Sequence, residues 1–299
     1  MRYRSEEICL PTDEQTLKII MILLFVLFFK YYSKNFINDY NFDKVNANKI
    51  LKGVPMDNNM YDNRSLFDKY SEMERSKKGL EAAGEWESFK EMLPELNGAA
   101  VLDLGCGYGW HCQYAVELGA EKVVGIDISE KMLERAQAQP DADKITFINQ
   151  SMDELDFEPH EFEVVMSSLA IHYLPSFKDV VEQVKEVLTI NGTFIFSVEH
   201  PVFTAEGSQD WIYDEAGNKL FWPVDNYYKE GERETQFLGE EVRKYHRTLS
   251  HYLSVLIDND FVIKGISEPE PSEKLLDEVP EMKDELRRPM MLIISARRK

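Results

Sequence analysis

A glycine-rich loop between two apolar segments places the tightest constraint on how this chain folds. The apolar residues 100–102 lead into Asp103, and residues 105–109 then read Gly-Cys-Gly-Tyr-Gly. An apolar run followed by closely spaced glycines is typical of a buried strand that turns directly into a helix. A second apolar run, residues 123–126, ends on Asp127. The pattern predicts a strand–helix–strand unit that binds a nucleoside or phosphate at the loop and ribose hydroxyls at Asp127.

Two kinds of nucleotide site combine a glycine loop with a distant acid, and the glycine spacing separates them. Dinucleotide loops follow G-x-G-x-x-G, in which the third glycine allows close packing of helix against strand. Here that third position is Trp110, the glycines follow G-x-G-x-G, and Asp103 lies two residues before the first of them. This segment resembles the first motif of the class I S-adenosylmethionine-dependent methyltransferases. An NAD-type oxidoreductase and a noncatalytic cofactor-binding scaffold remain the alternatives.

The resemblance covers roughly residues 60–299 and is strongest at 101–129. It implies S-adenosylmethionine as the cofactor and transfer of its methyl group to a small-molecule acceptor, with S-adenosylhomocysteine as the product. It also implies an acidic contact to adenine at the position of Ser151, so either Ser151 or Asp153 is expected to make it. The residues expected to contact the cofactor are Tyr70, Asp103, Gly105, Gly107, Gly109, Asp127, Ile128, Ser151, Met152, Asp153 and Ser168.

The order of strand-like and helix-like segments predicts the fold class. They alternate from Ala100 to Phe196, which indicates an α/β protein with a mainly parallel sheet, right-handed crossovers and helices on both faces. Residues 261–264 and 290–295 predict two last strands with only a Pro-broken acidic loop between them. We therefore expect an antiparallel terminal hairpin, as in the Rossmann-like methyltransferase fold with its seven strands. Residues 242–257 predict a helix.

The acceptor is expected beside the fifth predicted strand, 193–198. An insertion rich in aromatic residues follows, at about 202–240, and a hairpin is predicted within it at 211–222. The insertion is expected either to form a lid over the acceptor or to pack its aromatic residues against the edge of the fold. The residues expected to face the acceptor are Glu199, His200, Trp211, Trp222, Tyr245, His246 and Arg247. His200 is the candidate general base because a histidine titrates near neutral pH. The alternative is that it stabilises the turn before Pro201, and His172 is expected to play a supporting role.

Composition narrows the choice of partners. The chain has 34 basic and 54 acidic residues, a net charge of −20, which disfavours a phosphate backbone as substrate. Its three cysteines, Cys9, Cys106 and Cys112, have neither a metal-like spacing nor the pattern of a disulfide framework. We therefore expect a cytoplasmic protein without a metal site that acts on a small molecule.

Residues 1–55 differ in composition from the rest of the chain. The apolar run 19–29 lies between two lysines and is shorter than the roughly 20 residues that a membrane-spanning helix needs. We expect an extension outside the folded domain, or an upstream start to a protein that begins near Met56 or Met60. The alternative is membrane association through residues 17–32. The methyltransferase domain is predicted at 56–299.

Overall fold

The computed structural model describes residues 60–278 and 280–299, and its elements are numbered here in chain order. The strands are β1 Ala100–Leu104, β2 Lys122–Asp127, β3 Thr146–Asn149, β4 Phe162–Ser168, β5 Leu188–Glu199, β6 Ile212–Tyr213, β7 Lys219–Phe221, β8 Gly231–Phe237, β9 Glu240–His246, β10 Phe261–Ser267 and β11 Met291–Arg298. The helices are α1 Arg64–Ser71, α2 Glu74–Lys78, α3 Trp86–Glu91, α4 Trp110–Glu117, α5 Glu130–Gln137, α6 Phe177–Val187, α7 Pro201–Thr204, α8 Leu249–Asp258 and α9 Glu273–Glu278.

A seven-stranded sheet in the order β10-β11-β5-β4-β1-β2-β3 forms the centre of the fold. The strands from β1 to β5 pair in parallel, whereas β11 runs antiparallel to both β5 and β10. This confirms the predicted fold class and the antiparallel terminal pair. The strand order reverses between β1 and β4, and open α/β sheets bind ligands beyond the carboxyl ends of the strands at such a point.

Apolar side chains fill both faces of the sheet. In β1, Leu102 and Leu104 belong to one buried cluster and Val101 belongs to the other, as expected when side chains alternate along a strand covered on both sides. Helix α6 begins at the N-cap Ser176, whose side chain accepts a hydrogen bond from the Asp179 N–H. Its buried face is apolar at helical spacing and comprises Phe177, Val180, Val181, Val184 and Val187.

The predicted helix at 242–257 is wrong in its first half. Residues 240–246 form β9, paired antiparallel with β8, and α8 begins only after the N-cap Thr248. Val242, Lys244 and His246 are buried and alternate with more exposed neighbours, which is the period of a strand. The hairpin predicted at 211–222 is confirmed as β6 and β7.

Two smaller expectations near the sheet are also wrong. The segment between β10 and β11 contains α9, since the Ser272 hydroxyl accepts the Leu275 N–H after Pro271 and starts a helix. The fifth strand, predicted at 193–198, begins earlier, because residues 188–192 also belong to β5 and the register with β4 shifts there. Among the described residues no helix is both long and apolar enough to cross a membrane. The segment 17–32 lies outside them, as does most of the predicted extension.

Candidate active site

The loop after β1 is shaped by its glycines. Gly105, Gly107 and Gly109 have φ angles of 70°, 53° and 75°, a region that residues with a Cβ rarely adopt. A Cβ on Gly105 would lie 2.5 Å from the Ala170 Cβ, and one on Gly109 would lie 2.9 Å from the Phe147 ring. A Cβ on Gly107 would meet no atom within 4 Å. Two glycines therefore allow tight packing, and the third leaves open space beside the loop.

Asp127, at the end of β2, is bound to this loop. Its Oδ2 atom accepts the Gly107 N–H at 3.0 Å, and its Oδ1 atom accepts the Ser129 N–H at 2.8 Å. Burial raises the pKa of the Asp127 carboxyl, and the two N–H groups partly oppose that rise. Each carboxylate oxygen retains a further lone pair, so Asp127 can still accept hydrogen bonds from a ligand.

Asp103 lies beneath the loop and not at its surface. Its side chain is 1% exposed, and its Oδ2 atom accepts a hydrogen bond from the Cys112 thiol at 3.4 Å. Burial raises the pKa of Asp103 to about 7. The acid of the first motif therefore supports the floor of the loop and does not contact the space above it.

A cavity of about 360 Å³ lies at the carboxyl ends of β1, β2, β4 and β5. This volume is within the range of small-ligand sites, roughly 300–1,000 Å³. The predicted site residues that line it are Tyr70, Gly105, Gly107, Asp127, Ile128, Ser151, Met152, Ser168 and Glu199. Asp103, Gly109 and Asp153 do not line it, although the Ser151 hydroxyl donates to the Asp153 carboxylate.

A buried ion pair borders the cavity near the end of β4. The Arg75 guanidinium, from α2, donates to Glu85 Oε1 at 3.0 Å, and the Ser168 hydroxyl donates to the same oxygen at 3.2 Å. Burial raises the pKa of the Glu85 carboxyl, but the Arg75 charge and the hydrogen bonds to the carboxylate together lower it more, so the net pKa is below its usual value. The Glu85 Oε2 atom is buried and has no hydrogen-bond partner among the described residues. Glu85 itself does not line the cavity, whereas its partners Arg75 and Ser168 do.

Comparison with known proteins identifies the family. Residues 101–192 match the family model described as "Methyltransferase domain". A Listeria monocytogenes protein assigned to the S-adenosylmethionine-dependent methyltransferases has a similar structure, with a TM-score of 0.70 and 53% identity, covering 74% of this chain and 99% of that one. The chain belongs to the S-adenosylmethionine-dependent methyltransferases. S-adenosylmethionine is therefore the cofactor of this methyltransferase, as the first motif implied.

Two further relatives agree with this assignment. An S-adenosylmethionine-dependent methyltransferase from Mesorhizobium loti has a TM-score of 0.68 and 42% identity, covering 74% of this chain and 100% of that one. A demethylmenaquinone methyltransferase from Symbiobacterium thermophilum is 33% identical over 143 residues, 44% of this chain and 57% of its own. None of these relatives supports the oxidoreductase alternative.

The cavity fits the family cofactor. The open space at Gly107 lies beside the Asp127 carboxylate, and the unpaired Glu85 oxygen lies beyond the neighbouring strand end. Arg75 and Ser168 line the cavity between them. The cavity thus offers acceptors for ribose hydroxyls and a cation for a carboxylate, which are groups that S-adenosylmethionine requires.

The opposite half of the cavity contains a second buried ion pair. Lys244, from β9, donates to Glu199 Oε1 at 2.6 Å, and Gln209 donates to Glu199 Oε2 at 2.8 Å. Burial raises the pKa of Glu199, but the Lys244 charge and the hydrogen bonds from Lys244 and Gln209 together lower it more, so the carboxyl titrates below its usual range. Glu199 is therefore an anion at neutral pH and a weak base.

His172 is the histidine that lines the cavity. Its Nδ1 atom accepts the Glu199 N–H at 3.5 Å, and burial lowers its pKa to about 4. The ring is therefore neutral near pH 7, and its one proton lies on Nε2. His172 can donate a hydrogen bond there but is a poor acceptor of a proton.

His200 occupies a different position from the one its sequence context suggested. Its Nδ1 atom accepts the Val202 N–H at 3.0 Å as the N-cap of α7, and its Nε2 atom lies 2.7 Å from Glu268 Oε1. His200 does not line the cavity, and both ring nitrogens have partners. This arrangement matches the alternative interpretation, a histidine that stabilises the turn at Pro201.

The two predicted tryptophans lie behind the cavity wall. The Trp222 ring stacks on Phe203 at 5.0 Å, and Trp211 meets Trp222 edge-on at 5.4 Å. The Arg288 guanidinium lies 4.0 Å from the Trp222 ring centre. Of these residues only Phe203 lines the cavity. The tryptophans can therefore affect a bound acceptor only indirectly, by positioning Phe203.

Tyr245, His246 and Arg247 also lie outside the cavity lining. The two ring nitrogens of His246 lie 2.7 Å from the Thr204 hydroxyl and 2.8 Å from a backbone oxygen, that of Tyr227. Arg247 is buried and donates to the Leu174 carbonyl. Because the segment is a strand followed by a cap, it presents Lys244 to the cavity instead of these three residues.

The sequence analysis left out two thirds of the lining residues, 18 of 27. They come from the N-terminal segment, α5, the segments that follow β3 and β4, the insertion, β9 and the start of β11: Met60, Tyr61, Met73, Arg75, Met132, Gln150, Leu169, Ala170, His172, Tyr173, Leu174, Phe203, Gln209, Gln236, Phe237, Lys244, Met290 and Met291. The one available signal was the strand-like alternation around Lys244, which places a lysine at an inward position.

Proposed function

We propose that this methyltransferase modifies a small molecule that is enclosed in the cavity between the glycine loop and β9. The observation that carries the proposal is the hydrogen bond from the Gly107 N–H to Asp127, at one end of a cavity that continues to Glu199 and Lys244. One continuous space can hold a nucleoside at the first end and an acceptor at the other. A relative named for demethylmenaquinone supports a small-molecule acceptor.

Residues in the half of the cavity beside the glycine loop each bind a different part of the cofactor. We propose that Asp127 accepts hydrogen bonds from the ribose hydroxyls and that Ser151 and Met152 border the adenine. Arg75, held by its ion pair with Glu85, pairs with the carboxylate of the methionine moiety. When bound, S-adenosylmethionine supplies a methyl group activated by a positively charged sulfur.

Alignment and exclusion of water are the contributions we assign to the second half. Three tyrosines pack edge-to-face around the cavity: the Tyr61 ring centre lies 5.2 Å from that of Tyr70 and 6.2 Å from that of Tyr173. Aromatic walls exclude water, and proximity alone supplies much of the acceleration in a displacement at an activated methyl group. Since His172 and Glu199 both have lowered pKa values, we propose that no side chain of the described cavity acts as a general base.

Incubation with S-adenosylmethionine and a fractionated cell extract tests the acceptor class. The dialysable fraction should support release of S-adenosylhomocysteine, and the retained protein and nucleic-acid fraction should not. The Asp127→Asn variant is the matched control for cofactor-dependent release. Turnover with the retained fraction alone would contradict a small-molecule acceptor.

We also propose that the protein is cytoplasmic. Cys106 and Cys112 are buried free thiols, as is usual in a reducing compartment. The predicted extension 1–55 and any membrane association through residues 17–32 stay predictions.

A further inference from the structure

A polar cluster lies at the acceptor end of an otherwise apolar part of the cavity. We define it as Glu199, Gln209, Thr235 and Lys244. Gln209 joins its members, because its amide donates to Glu199, and its Oε1 atom accepts from Thr235 at 3.1 Å and from Lys244 at 3.3 Å. Phe203, Phe237, Met290 and Met291 line the cavity around it.

Lys244 is the member of the cluster that retains a donor for a ligand. Its side chain is 3% exposed, yet it lines the cavity. An ammonium group has three N–H donors, and two of them bond to Glu199 and Gln209. The third has no partner among the described residues. The rings of Phe237 and Tyr173 lie 5.3 Å and 5.9 Å from Nζ and shield the charge from water.

This arrangement is costly to build, which points to a role beyond stability. Burying an ion pair usually gains less than packing apolar side chains of the same volume. Gln209 also has a φ of 51°, a left-handed conformation that costs a non-glycine residue free energy. Strained residues and buried charges on the wall of a cavity are typical of ligand sites.

The acceptor end therefore offers N–H donors to a ligand. Lys244 has its third N–H, and the neutral ring of His172 carries its proton on Nε2, since Nδ1 accepts the Glu199 N–H. Both oxygens of Glu199, the anion of this end, are already bonded within the cluster.

We propose that the acceptor is an acid, whose anionic oxygen binds the third N–H of Lys244 while its apolar body packs against the surrounding aromatic and methionine side chains. This inference rests on the proposed function, because it assigns the substrate class of the same cavity. Lys244 is a specificity residue in this account: it selects an oxyanion over the neutral analogue of the same shape. A charge-assisted hydrogen bond of this kind favours the anion by roughly tenfold or more.

Calorimetric titration of the protein loaded with S-adenosylhomocysteine tests the inference. The probes are phenylacetate, its neutral analogue phenylacetamide and the cation phenethylammonium. The wild-type protein should prefer phenylacetate to phenylacetamide by about tenfold or more. Lys244→Met should abolish that preference, whereas the control Lys69→Met should retain it. Lys69 also contacts β9, through a 2.8 Å bond to Glu240, but it is exposed and outside the cavity.

Two further variants keep the test decisive. If Lys244→Met does not fold because Glu199 is left unpaired, the double variant Lys244→Met/Glu199→Gln removes both charges and should show the same loss. Glu199→Gln alone should tighten phenylacetate binding, since it removes the competing anion. Any of four results would overturn the inference. They are equal binding of acid and amide, stronger binding of the cation, an acid preference that survives without Lys244, and no binding of any probe. Loss of S-adenosylhomocysteine binding by the wild-type protein would instead contradict the proposed function on which it rests.

Discussion

The backbone N–H of Gly107 donates to Asp127 Oδ2 at 3.0 Å, so the glycine loop after β1 and the acid at the end of β2 form one unit. The two residues are twenty positions apart: Gly107 follows β1, and Asp127 ends the parallel neighbour of that strand, β2. Because the hydrogen bond fixes both the loop and the carboxylate, the position that we propose binds the ribose is formed before any ligand enters. Preorganisation of this kind lowers the entropic cost of binding.

Substitutions in the loop should separate binding from folding. In Gly107→Ala the new methyl group enters open space, so we expect a cost of about 1 kcal/mol for the positive φ together with a clear loss of cofactor affinity. In Gly105→Ala the methyl group would lie 2.5 Å from the Ala170 Cβ, so that variant should lose more stability. Urea unfolding and S-adenosylhomocysteine titration of both variants measure the two effects. Equal destabilisation would contradict the packing assigned to Gly105.

Asp103 should give the protein a distinctive pH dependence. Its folded-state pKa of about 7 is higher than that of an unfolded aspartate, so its contribution is complete below the unfolded value, near pH 4, and is lost as the pH rises to 7. The free energy of unfolding should therefore fall, relative to Asp103→Asn, by on the order of 1 kcal/mol per pH unit between those values. Urea unfolding at several pH values measures the difference. A constant difference would mean that Asp103 is ionised in the folded protein.

The Arg75–Glu85 pair should behave as a single energetic unit. Arg75→Met leaves the buried Glu85 carboxylate without its partner, which typically costs about 3–5 kcal/mol. The double variant Arg75→Met/Glu85→Gln should be more stable than the sum of the single effects predicts, because no buried charge is left. A double-mutant cycle by urea unfolding gives the coupling. Additive effects would contradict the pairing.

The sequence predicted the parts of the fold that local patterns determine. Apolar runs predict β1 to β5, and the glycine spacing predicts the loop. The acceptor end depends on contacts between distant residues. Lys244 is buried because Glu199 and Gln209 pair with it, 45 and 35 positions away, and no local pattern encodes that pairing. His200 was the more obvious residue because it directly follows β5, but its ring bonds to Val202 and Glu268 instead.

The aromatic insertion should affect the acceptor and not the cofactor. Trp222→Ala removes the ring that stacks on Phe203, so we expect altered turnover or acceptor preference. S-adenosylhomocysteine affinity should stay within about twofold, because the contact is remote from the glycine loop. Phe221→Ala is the matched control, since that side chain is 55% exposed. A large loss of cofactor affinity in Trp222→Ala alone would mean that the insertion closes over the cofactor.

Calorimetric titration with S-adenosylmethionine, S-adenosylhomocysteine and NAD tests the central claim most directly. The wild-type protein should bind the first two at one site and should not bind NAD. In Asp127→Asn, loss of the charged acceptor should weaken both by roughly ten- to a hundredfold, whereas the exposed control Asp156→Asn should not change them. Binding of NAD without S-adenosylmethionine, or unchanged affinity in a folded Asp127→Asn protein, would contradict the account.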